Sequence, residues 1–349
     1  MIEENKVTIL IPSGAGAPGF AGICRCLREE LSWQIVAGDT NEHAYGKALC
    51  DEFFVVSSSE NEQSYLDAVM VACERYAVDV ILPITTRELG ILSANKEHFE
   101  TKGIKVVVSS VKGIDVSNDK GKAAQIASEL HLPVPEFVVC NDLVSFEEAA
   151  KSMQERHDVI CFKPVRGNGS RGFGVVVRDI GRGDFLNAKA GVLPMTLSEW
   201  SLRMPKQFDI PLMVCAYLSG MEYSVDMLCS EGKTLFCVPR TRDKMIGGIS
   251  VAGKLDRNFG LIAFCIQLAQ ALELDGPIGM QWKEDSDGVP HLIEINPRLQ
   301  GTTSTLALAG INFPVQAVRH ALGMGLTSST ADIDWGKRFV RFWDERILS

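Results

Sequence analysis

The chain has 349 residues, of which 46% are hydrophobic and 23% are charged. Such a composition is typical of a globular protein with two or three domains, and it excludes a disordered, collagen-like or disulfide-scaffold chain. The formal net charge of −9 argues against a general binder of nucleic acids or anionic membranes, although a local basic pocket for a small anion stays open.

Targeting signals and thiols point to the same compartment. No apolar run approaches the roughly 20 residues that a membrane helix needs. The acidic start, Met-Ile-Glu-Glu, leads into a strand-like run and is not the pattern of a signal peptide. The ten cysteines include no Cys-x-x-Cys pair and mostly lie in apolar runs, so we interpret them as reduced core thiols. We therefore expect a cytoplasmic protein with neither nucleic-acid nor membrane partners.

Strand and helix signals alternate over the first ~110 residues. This alternation predicts a small doubly wound parallel sheet. The predicted strands cover residues 7–11, 34–39, 52–56, 78–83 and 105–108. The predicted helices cover residues 20–31, 62–76 and 88–99.

A glycine-rich turn follows the first predicted strand. Its spacing, Gly14-x-Gly16-x-x-Gly19, together with Asp39 further on, resembles a dinucleotide-binding fingerprint. NAD binding is one interpretation of this pattern. The other is a tight turn between strand and helix that uses glycines for structural reasons alone.

The pattern changes after residue 112, where strands, hairpins and helices follow one another without regular alternation. Such a mixture indicates an α+β region rather than further layers of the first sheet, so we place a domain boundary there. The predicted helices cover residues 120–130, 146–156 and 261–272. The predicted strands cover residues 158–164, 212–217, 222–228, 278–284 and 291–296.

The segment Lys163–Gly174 contains four glycines and is predicted to form a loop. Glycines let its backbone N–H groups close on an anion, and the basic residues Lys163, Arg166 and Arg171 add positive charge. The loop is therefore a candidate flap over phosphates. The alternative is a long hairpin loop without a ligand.

Asp287-Gly288 predicts a two-residue turn between the last two strands. In that register Gln281 lies directly opposite Glu294, and Asn296 shares the face. Carboxylate and amide oxygens in small number suit Mg²⁺ that is shared with nucleotide phosphates. The alternative is a surface hairpin with polar residues outside and apolar residues inside.

The segment Glu294-Ile295-Asn296-Pro297-Arg298 resembles the Glu-x-Asn-Pro-Arg signature of ATP-grasp enzymes. Four more regions resemble other parts of that family in the same order. These are the leading sheet, residues 118–120 with 132–135, residues 162–164 with the glycine loop, and residues 213–223. The resemblance covers almost the whole chain. The chain resembles single-copy proteins that are themselves similar to half of a carbamoyl phosphate synthase large subunit. The pyrrolysine-biosynthesis ligase is one of these proteins.

The resemblance implies a fold class of α/β plus α+β. Residues 1–112 would form a doubly wound pre-ATP-grasp domain, and residues 113–330 a two-lobed ATP-grasp domain. Its lobes would be residues 113–190 and 191–330, followed by a C-terminal extension, residues 331–349.

The resemblance also implies residue roles. Lys120 and Lys163 would hold the nucleotide phosphates, and Glu222 the ribose hydroxyls. Residues Gly169, Ser170, Arg171 and Gly172 would cover the phosphates, and Cys215, Ala216, Tyr217 and Leu218 would form the adenine hinge, with the backbone of Ala216 and Leu218 reading the base. Gln281, Glu294 and Asn296 would bind Mg²⁺, with Mn²⁺ as the alternative metal, and Arg298, Lys163 and Glu294 would be catalytic. Many members carry Glu where this chain has Cys215, so the choice between ATP and GTP stays open.

The implied activity is ATP-dependent joining of a small-molecule carboxylate to an amine, both amino-acid-like, through an acyl phosphate, with ADP and phosphate as products. One alternative is phosphorylation of bicarbonate or carbamate, and another is a nucleotide-binding regulator without turnover. The sequence leaves open whether two copies of the chain assemble into a homodimer. Arg240, Arg242 and Lys244 suit either a carboxylate substrate, the phosphates or a solvated strand end, and Asp226 is either solvated or an outer partner of the metal site.

Overall fold

The computed structural model describes residues 6–167, 171–181 and 194–342. The chain divides into two compact units. The first comprises the described residues of Met1–Asp115, Tyr223–Met280 and Ile295–Ser349, and the second comprises those of Val116–Glu222 and Gln281–Glu294. The division into domains at residues 112 and 330 stays a prediction.

The elements are numbered in chain order. The strands are β1 (Thr8–Ile11), β2 (Gln34–Asp39), β3 (Glu52–Val55), β4 (Val80–Ile81), β5 (Lys105–Val106), β6 (Phe137–Asp142), β7 (Val159–Pro164), β8 (Gly174–Val177), β9 (Pro194–Thr196), β10 (Gln207–Ala216), β11 (Glu222–Ser230), β12 (Lys233–Thr241), β13 (Lys244–Ile246), β14 (Ile249–Lys254), β15 (Gly276–Glu284), β16 (Pro290–Asn296) and β17 (Arg338–Val340). The helices are α1 (Phe20–Leu27), α2 (Glu62–Tyr76), α3 (Thr86–Ala94), α4 (Lys96–Thr101), α5 (Val111–Ser117), α6 (Lys120–Glu129), α7 (Leu143–Gln154), α8 (Leu197–Ser201), α9 (Phe259–Ala271) and α10 (Phe313–Ala321).

The first sheet has the strand order β3-β2-β1-β4-β5, and every pair in it is parallel. Its central strand β1 is buried at all four positions, as expected of a parallel strand covered on both faces. Leu10 pairs with Val36 on one side and with Ile81 on the other. The predicted doubly wound sheet is confirmed.

Helix boundaries follow local capping. Helix α2 begins after Asn61, whose side chain accepts a hydrogen bond from the Ser64 N–H, and it covers the predicted range. The single helix predicted over residues 88–99 is wrong, because α3 ends at Ala94 and α4 starts at Lys96, with Asn95 as the cap between them. The Asn95 side chain donates to the carbonyl of Ile91 and so competes with the helix for that acceptor.

A second sheet has the order β6-β10-β7-β8-β9. Strand β10 lies antiparallel between β6 and β7, with Val214 opposite Phe162. Helix α7 covers one face through Phe146, whose ring packs edge-on against Phe162 at 5.3 Å. Strands β10 and β11 belong to different sheets, so the turn at Ser219-Gly220 connects two sheets and does not close a hairpin.

The third sheet has the order β12-β11-β15-β16, and the fourth has the order β13-β14-β17. Parallel and later mixed and antiparallel sheets together confirm the predicted α/β plus α+β class. The ten cysteines are free thiols and nine of them are buried, as expected for core residues. Across the described ranges, no helix combines the length and the apolar character needed to cross a membrane.

Glu88 is a fully buried carboxylate at the start of α3. It accepts hydrogen bonds from Ser13 Oγ at 2.5 Å, from Tyr65 Oη at 2.7 Å and from the N–H groups of Ile84 and Thr85. Burial raises the pKa of Glu88, and these donors oppose the rise. One side chain therefore ties the end of β1, helix α2 and the cap of α3 together.

We expect Glu88→Ala to lower the free energy of unfolding by about 2–4 kcal/mol, because it leaves several buried donors without an acceptor. Glu100→Ala, at an exposed position of α4, is the matched control and should change it by less than about 0.5 kcal/mol. Urea unfolding followed by circular dichroism measures both. Equal effects for the two variants would show that the Glu88 network does not stabilise the fold.

Candidate functional site

Lys120 is the first residue of α6, and its position is fixed by local capping. The Asp119 side chain accepts hydrogen bonds from the N–H groups of Gly121 and Lys122, each at 3.1 Å. The Lys120 N–H donates to the carbonyl of Val165 at 2.9 Å. This bond ties the start of α6 to the base of the glycine loop.

Two lysine side chains meet consecutive residues of β16. Lys120 Nζ lies 3.7 Å from Glu294 Oε2 and donates to the carbonyl of Gly167 at 2.6 Å. Lys163, at the end of β7, donates from Nζ to the carbonyl of Ile293 at 2.9 Å. Three of the residues predicted for phosphate and metal binding, Lys120, Lys163 and Glu294, are therefore brought together.

The electrostatics of this group favour an anion. The side chains of Lys120 and Glu294 are only 10% and 19% exposed. Burial lowers the pKa of Lys120, Glu294 opposes this, and the positive charge of Lys163 lowers it further. Two ammonium groups beside one carboxylate leave positive charge in a weakly hydrated place, which phosphate oxygens can neutralise.

The glycine loop is described at its two ends. Arg166 Nε lies 3.4 Å from Asp119 Oδ2, so one end is held against α6. Gly172 has a φ of +71°, and a Cβ there would lie 2.8 Å from Pro164 Cγ, so only glycine fits. Arg171 beside it is exposed. The predicted flap residues Gly169 and Ser170 lie outside the described residues.

The predicted adenine hinge continues from the buried end of β10. Cys215 pairs with Cys161 across the strands, with the two Sγ atoms 3.5 Å apart. Ala216 donates its N–H to the carbonyl of Glu136 at 3.0 Å, so of its two backbone groups only the carbonyl can face a base. Leu218 is half-buried, and its N–H makes no hydrogen bond to any part of the described chain.

The end of the hinge is tied to β15. Gly220 donates to the carbonyl of Glu284, and the Glu284 N–H donates to the carbonyl of Met221, both at 2.9 Å. Lys283 Nζ lies 5.1 Å from the centre of the Tyr217 ring, a cation–π contact. Glu222, predicted to meet the ribose, follows as the first, half-buried residue of β11.

The predicted two-residue turn at Asp287-Gly288 is wrong. The Asp285 N–H donates to the carbonyl of Val289 at 3.0 Å, so Ser286, Asp287 and Gly288 form a three-residue loop. The Asp285 side chain accepts from the N–H groups of Asp287 and Val289 and stabilises this longer loop. A regular ladder continued from that closing pair sets Gln281 opposite Ile293. The direct pairing of Gln281 with Glu294 therefore loses its basis.

Arg298 follows β16 and is held by three acceptors. Its Nε donates to Thr86 Oγ1 at 3.2 Å, Nη1 to the carbonyl of Leu299 at 2.8 Å, and Nη2 to Asn296 Oδ1 at 3.4 Å. Thr86 is the first residue of α3, so the first sheet's own helix positions the predicted catalytic arginine. The sequence patterns carried no signal for Thr86.

Two family descriptions match separate parts of the chain. Residues 208–339 match the family described as "ATP-grasp in the biosynthetic pathway with Ter operon". Residues 20–107 match the family described as "PylC-like, N-terminal domain". The chain contains a PylC-like N-terminal domain, and an ATP-grasp domain follows it in the sequence. The predicted family resemblance is confirmed.

Similar proteins agree with the ATP-grasp assignment. The carbamoyl phosphate synthase large chain of Clostridium acetobutylicum is 24% identical over 79% of this chain. The biotin carboxylase of Campylobacter jejuni, solved with β-γ-ATP, superposes with a TM-score of 0.67 at 21% identity and covers 96% of this chain and 75% of its own. An L-amino acid ligase from Bacillus licheniformis superposes with a TM-score of 0.64 at 15% identity over 95% of this chain and 76% of its own. The chain spans 20–30% of the length of its curated relatives.

The donor chemistry of the ATP-grasp domain fits Mg²⁺. Glu294 and Asn296 lie two residues apart on β16, so an extended strand directs both side chains to one face. The regular ladder sets Gln281 of β15 opposite Ile293 and therefore on the other face, so Glu294 and Asn296 remain as the donor set. This set contains only oxygen donors and one negative charge, as expected for a hard cation that is shared with phosphates. Among the described residues, no group of three or more His, Cys, Asp and Glu side chains could hold a metal by itself.

Asp226 and Arg240 form a buried ion pair between β11 and β12 of the ATP-grasp domain. Arg240 Nε donates to Asp226 Oδ2 at 2.7 Å, and the two side chains are 0% and 3% exposed. The other carboxylate oxygen accepts from Gln300 Nε2 at 3.2 Å and from Thr303 Oγ1 at 2.5 Å. The pair thereby anchors the segment that follows Arg298, and the solvated interpretations of Asp226 and Arg240 are wrong.

We expect Asp226→Ala to destabilise the protein by about 3–5 kcal/mol, because it leaves the Arg240 charge buried without its partner. Asp209→Ala, at an exposed position of β10, is the matched control. Replacing the pair together, Asp226→Leu with Arg240→Met, should recover much of the loss. Thermal and urea unfolding of the variants measure this order, and a double variant as unstable as Asp226→Ala would contradict it.

Proposed function

We propose that this protein is an ATP-dependent carboxylate–amine ligase that works through an acyl phosphate and releases ADP and phosphate. The observation that carries the proposal is the meeting of Lys120, Lys163 and Glu294 at one weakly hydrated place. Its excess positive charge suits a polyphosphate, and its carboxylate suits the cation that accompanies one. The ATP-grasp assignment supports the same nucleotide.

In this proposal the two lysines bind the phosphates of ATP, and the glycine loop through Arg171 and Gly172 closes over them. The carbonyl of Ala216 and the N–H of Leu218 are the backbone groups that read the adenine edge, and Glu222 takes the ribose hydroxyls. Glu294 and Asn296 would hold Mg²⁺, with Mn²⁺ as the alternative. The cation would neutralise charge on the phosphates.

The chemistry then needs alignment more than a protein nucleophile. A carboxylate oxygen of the substrate attacks the γ-phosphorus, the bond to the ADP oxygen breaks, and an acyl phosphate forms. The amine attacks the acyl carbon, phosphate leaves with the bonding electrons, and the amine gives up its proton. Lys163 and Arg298 offset the negative charge that develops during transfer. Closure of the glycine loop keeps water from the acyl phosphate.

A second candidate is phosphorylation of bicarbonate or carbamate. The match to a carbamoyl phosphate synthase large chain favours it. The shared first step is attack of a carboxylate-like oxygen on ATP, so the two candidates differ in substrate rather than in nucleotide chemistry.

We expect three substitutions to separate binding from chemistry. Lys163→Ala should raise the KM for ATP at least about tenfold, because it removes a ground-state phosphate contact. Arg298→Ala should lower kcat by about 10²–10³ with a smaller change in KM. Glu294→Gln should be partly restored by excess Mg²⁺, because it keeps the shape and removes one charge from the cation.

Steady-state phosphate release across ATP and Mg²⁺ concentrations measures all three variants. Lys151→Ala, at an exposed position of α7, is the control and should behave as the unmodified protein does. Normal kcat in Arg298→Ala with the true substrates would contradict the role given to that arginine.

A substrate screen decides between the two candidates. Phosphate release from MgATP should rise when an amino-acid carboxylate and an amine are supplied together, and less when either is supplied alone. Bicarbonate alone, or bicarbonate with ammonia, is the arm for the second candidate. Stimulation in the bicarbonate arm and in no amino-acid arm would overturn the ligase proposal.

A further inference from the structure

The buried guanidinium of Arg240 has donors that the fold does not use. Its Nε donates to Asp226, whereas Nη1 and Nη2 are buried and have no hydrogen-bond partner within the described chain. Unsatisfied buried donors on a charged group are costly, and native structures rarely keep them without a reason. The two free nitrogens form one edge of a planar fork, which is the arrangement that binds an oxyanion through two hydrogen bonds.

Among the described residues, Asp226 is the carboxylate that pairs with Arg240, and it does so through Nε. Arg240 Cζ lies 5.9 Å from the centre of the Phe339 ring. Asp226 is already occupied by Arg240, Gln300 and Thr303. Neither Nη atom makes a hydrogen bond to that carboxylate.

A second guanidinium lies on the same side. Arg341 follows β17 two positions after Phe339, so an extended chain directs both side chains to one face. Its N–H donates to the carbonyl of Val251 at 2.8 Å, which continues the pairing of β17 with β14. Burial lowers the pKa of Arg341, and the charge of Arg240 lowers it further. Two like charges therefore approach each other in a poorly hydrated place.

Arg341 also contacts the glycine-rich turn of the N-terminal domain. Its Nη2 donates to the carbonyl of Pro18 at 3.0 Å, and Tyr45 Oη donates to the carbonyl of the preceding Ala17. The turn that resembles a dinucleotide fingerprint is thus held by Arg341. Arg341 itself is partly exposed to solvent, whereas Arg240 is fully buried.

We propose that Arg240 and Arg341 form a receptor for one oxyanion, a carboxylate or phosphate group carried by a small-molecule substrate. Such a group would satisfy both Nη atoms of Arg240 and remove the repulsion between the two guanidinium groups. That the anion belongs to a substrate rests on the proposed ligase function, whereas binding of the anion itself requires neither ATP nor turnover.

Titration calorimetry of the full chain at constant ionic strength and without nucleotide tests the receptor. Inorganic phosphate and glutarate are the two probes, and they separate a phosphate site from a carboxylate site. We expect saturable binding of one or both. Arg341→Gln should weaken it at least about tenfold, because one charge-assisted contact is lost. Arg240→Lys, which keeps a charge for Asp226 and removes the planar fork, should weaken it as well.

Two controls make the outcome unambiguous. Arg338→Gln removes a neighbouring arginine that is 67% exposed and paired with Asp243, and it should leave anion binding unchanged. Lys163→Ala removes a phosphate contact of the proposed nucleotide site, and anion binding should persist in it. Absence of saturable binding, or binding that is lost in Lys163→Ala and kept in Arg341→Gln, would overturn the receptor without bearing on the ligase chemistry.

Discussion

The excess of positive charge beside β16 is the constraint on which the proposed chemistry depends. Lys120 and Lys163 reach the backbone and side chain of two consecutive strand residues, Ile293 and Glu294, from two different elements. Holding two ammonium groups near one carboxylate costs free energy in the isolated protein, because little water reaches them. In the proposed function a polyphosphate with its cation would remove that cost, so binding energy would be available where phosphoryl transfer is proposed to take place.

A second charged network supports the residues after the signature strand. Asp226 binds Arg240, Gln300 and Thr303, and Arg298 binds Thr86 of α3. These contacts hold the segment from Arg298 to Thr303 from two sides, and the side chains that make the contacts are themselves packed. Arg298, the arginine proposed to be catalytic, is thus held by a helix of the N-terminal sheet.

Sequence patterns predicted the helix ends and buried strands that local interactions determine. Asn61 caps α2, and the apolar strands of the first sheet are read directly from composition. Sequence patterns failed where a side chain competes with the backbone for a hydrogen bond. Asp285 accepts two N–H groups and lengthens the hairpin loop by one residue, and Asn95 divides a predicted helix. Strands β12, β13, β14 and β17 were missed as well. Strand β17 pairs with a distant segment, as in Gly253 with Phe339, for which local patterns carry no signal. Strands β12 and β13 close hairpins with β11 and β14, which were not predicted from their short turns. The buried Asp226–Arg240 pair depends on the β11–β12 hairpin and was missed with it.

Transfer of oxygen from the carboxylate to phosphate is the most direct test of the central claim. An amino-acid carboxylate labelled with ¹⁸O is turned over with MgATP and an amine, and the released phosphate is examined by ³¹P NMR. The acyl-phosphate mechanism predicts one ¹⁸O atom in the phosphate for each amide formed. Amide formation with unlabelled phosphate would contradict the mechanism, because the carboxylate oxygen would then never have been bonded to phosphorus.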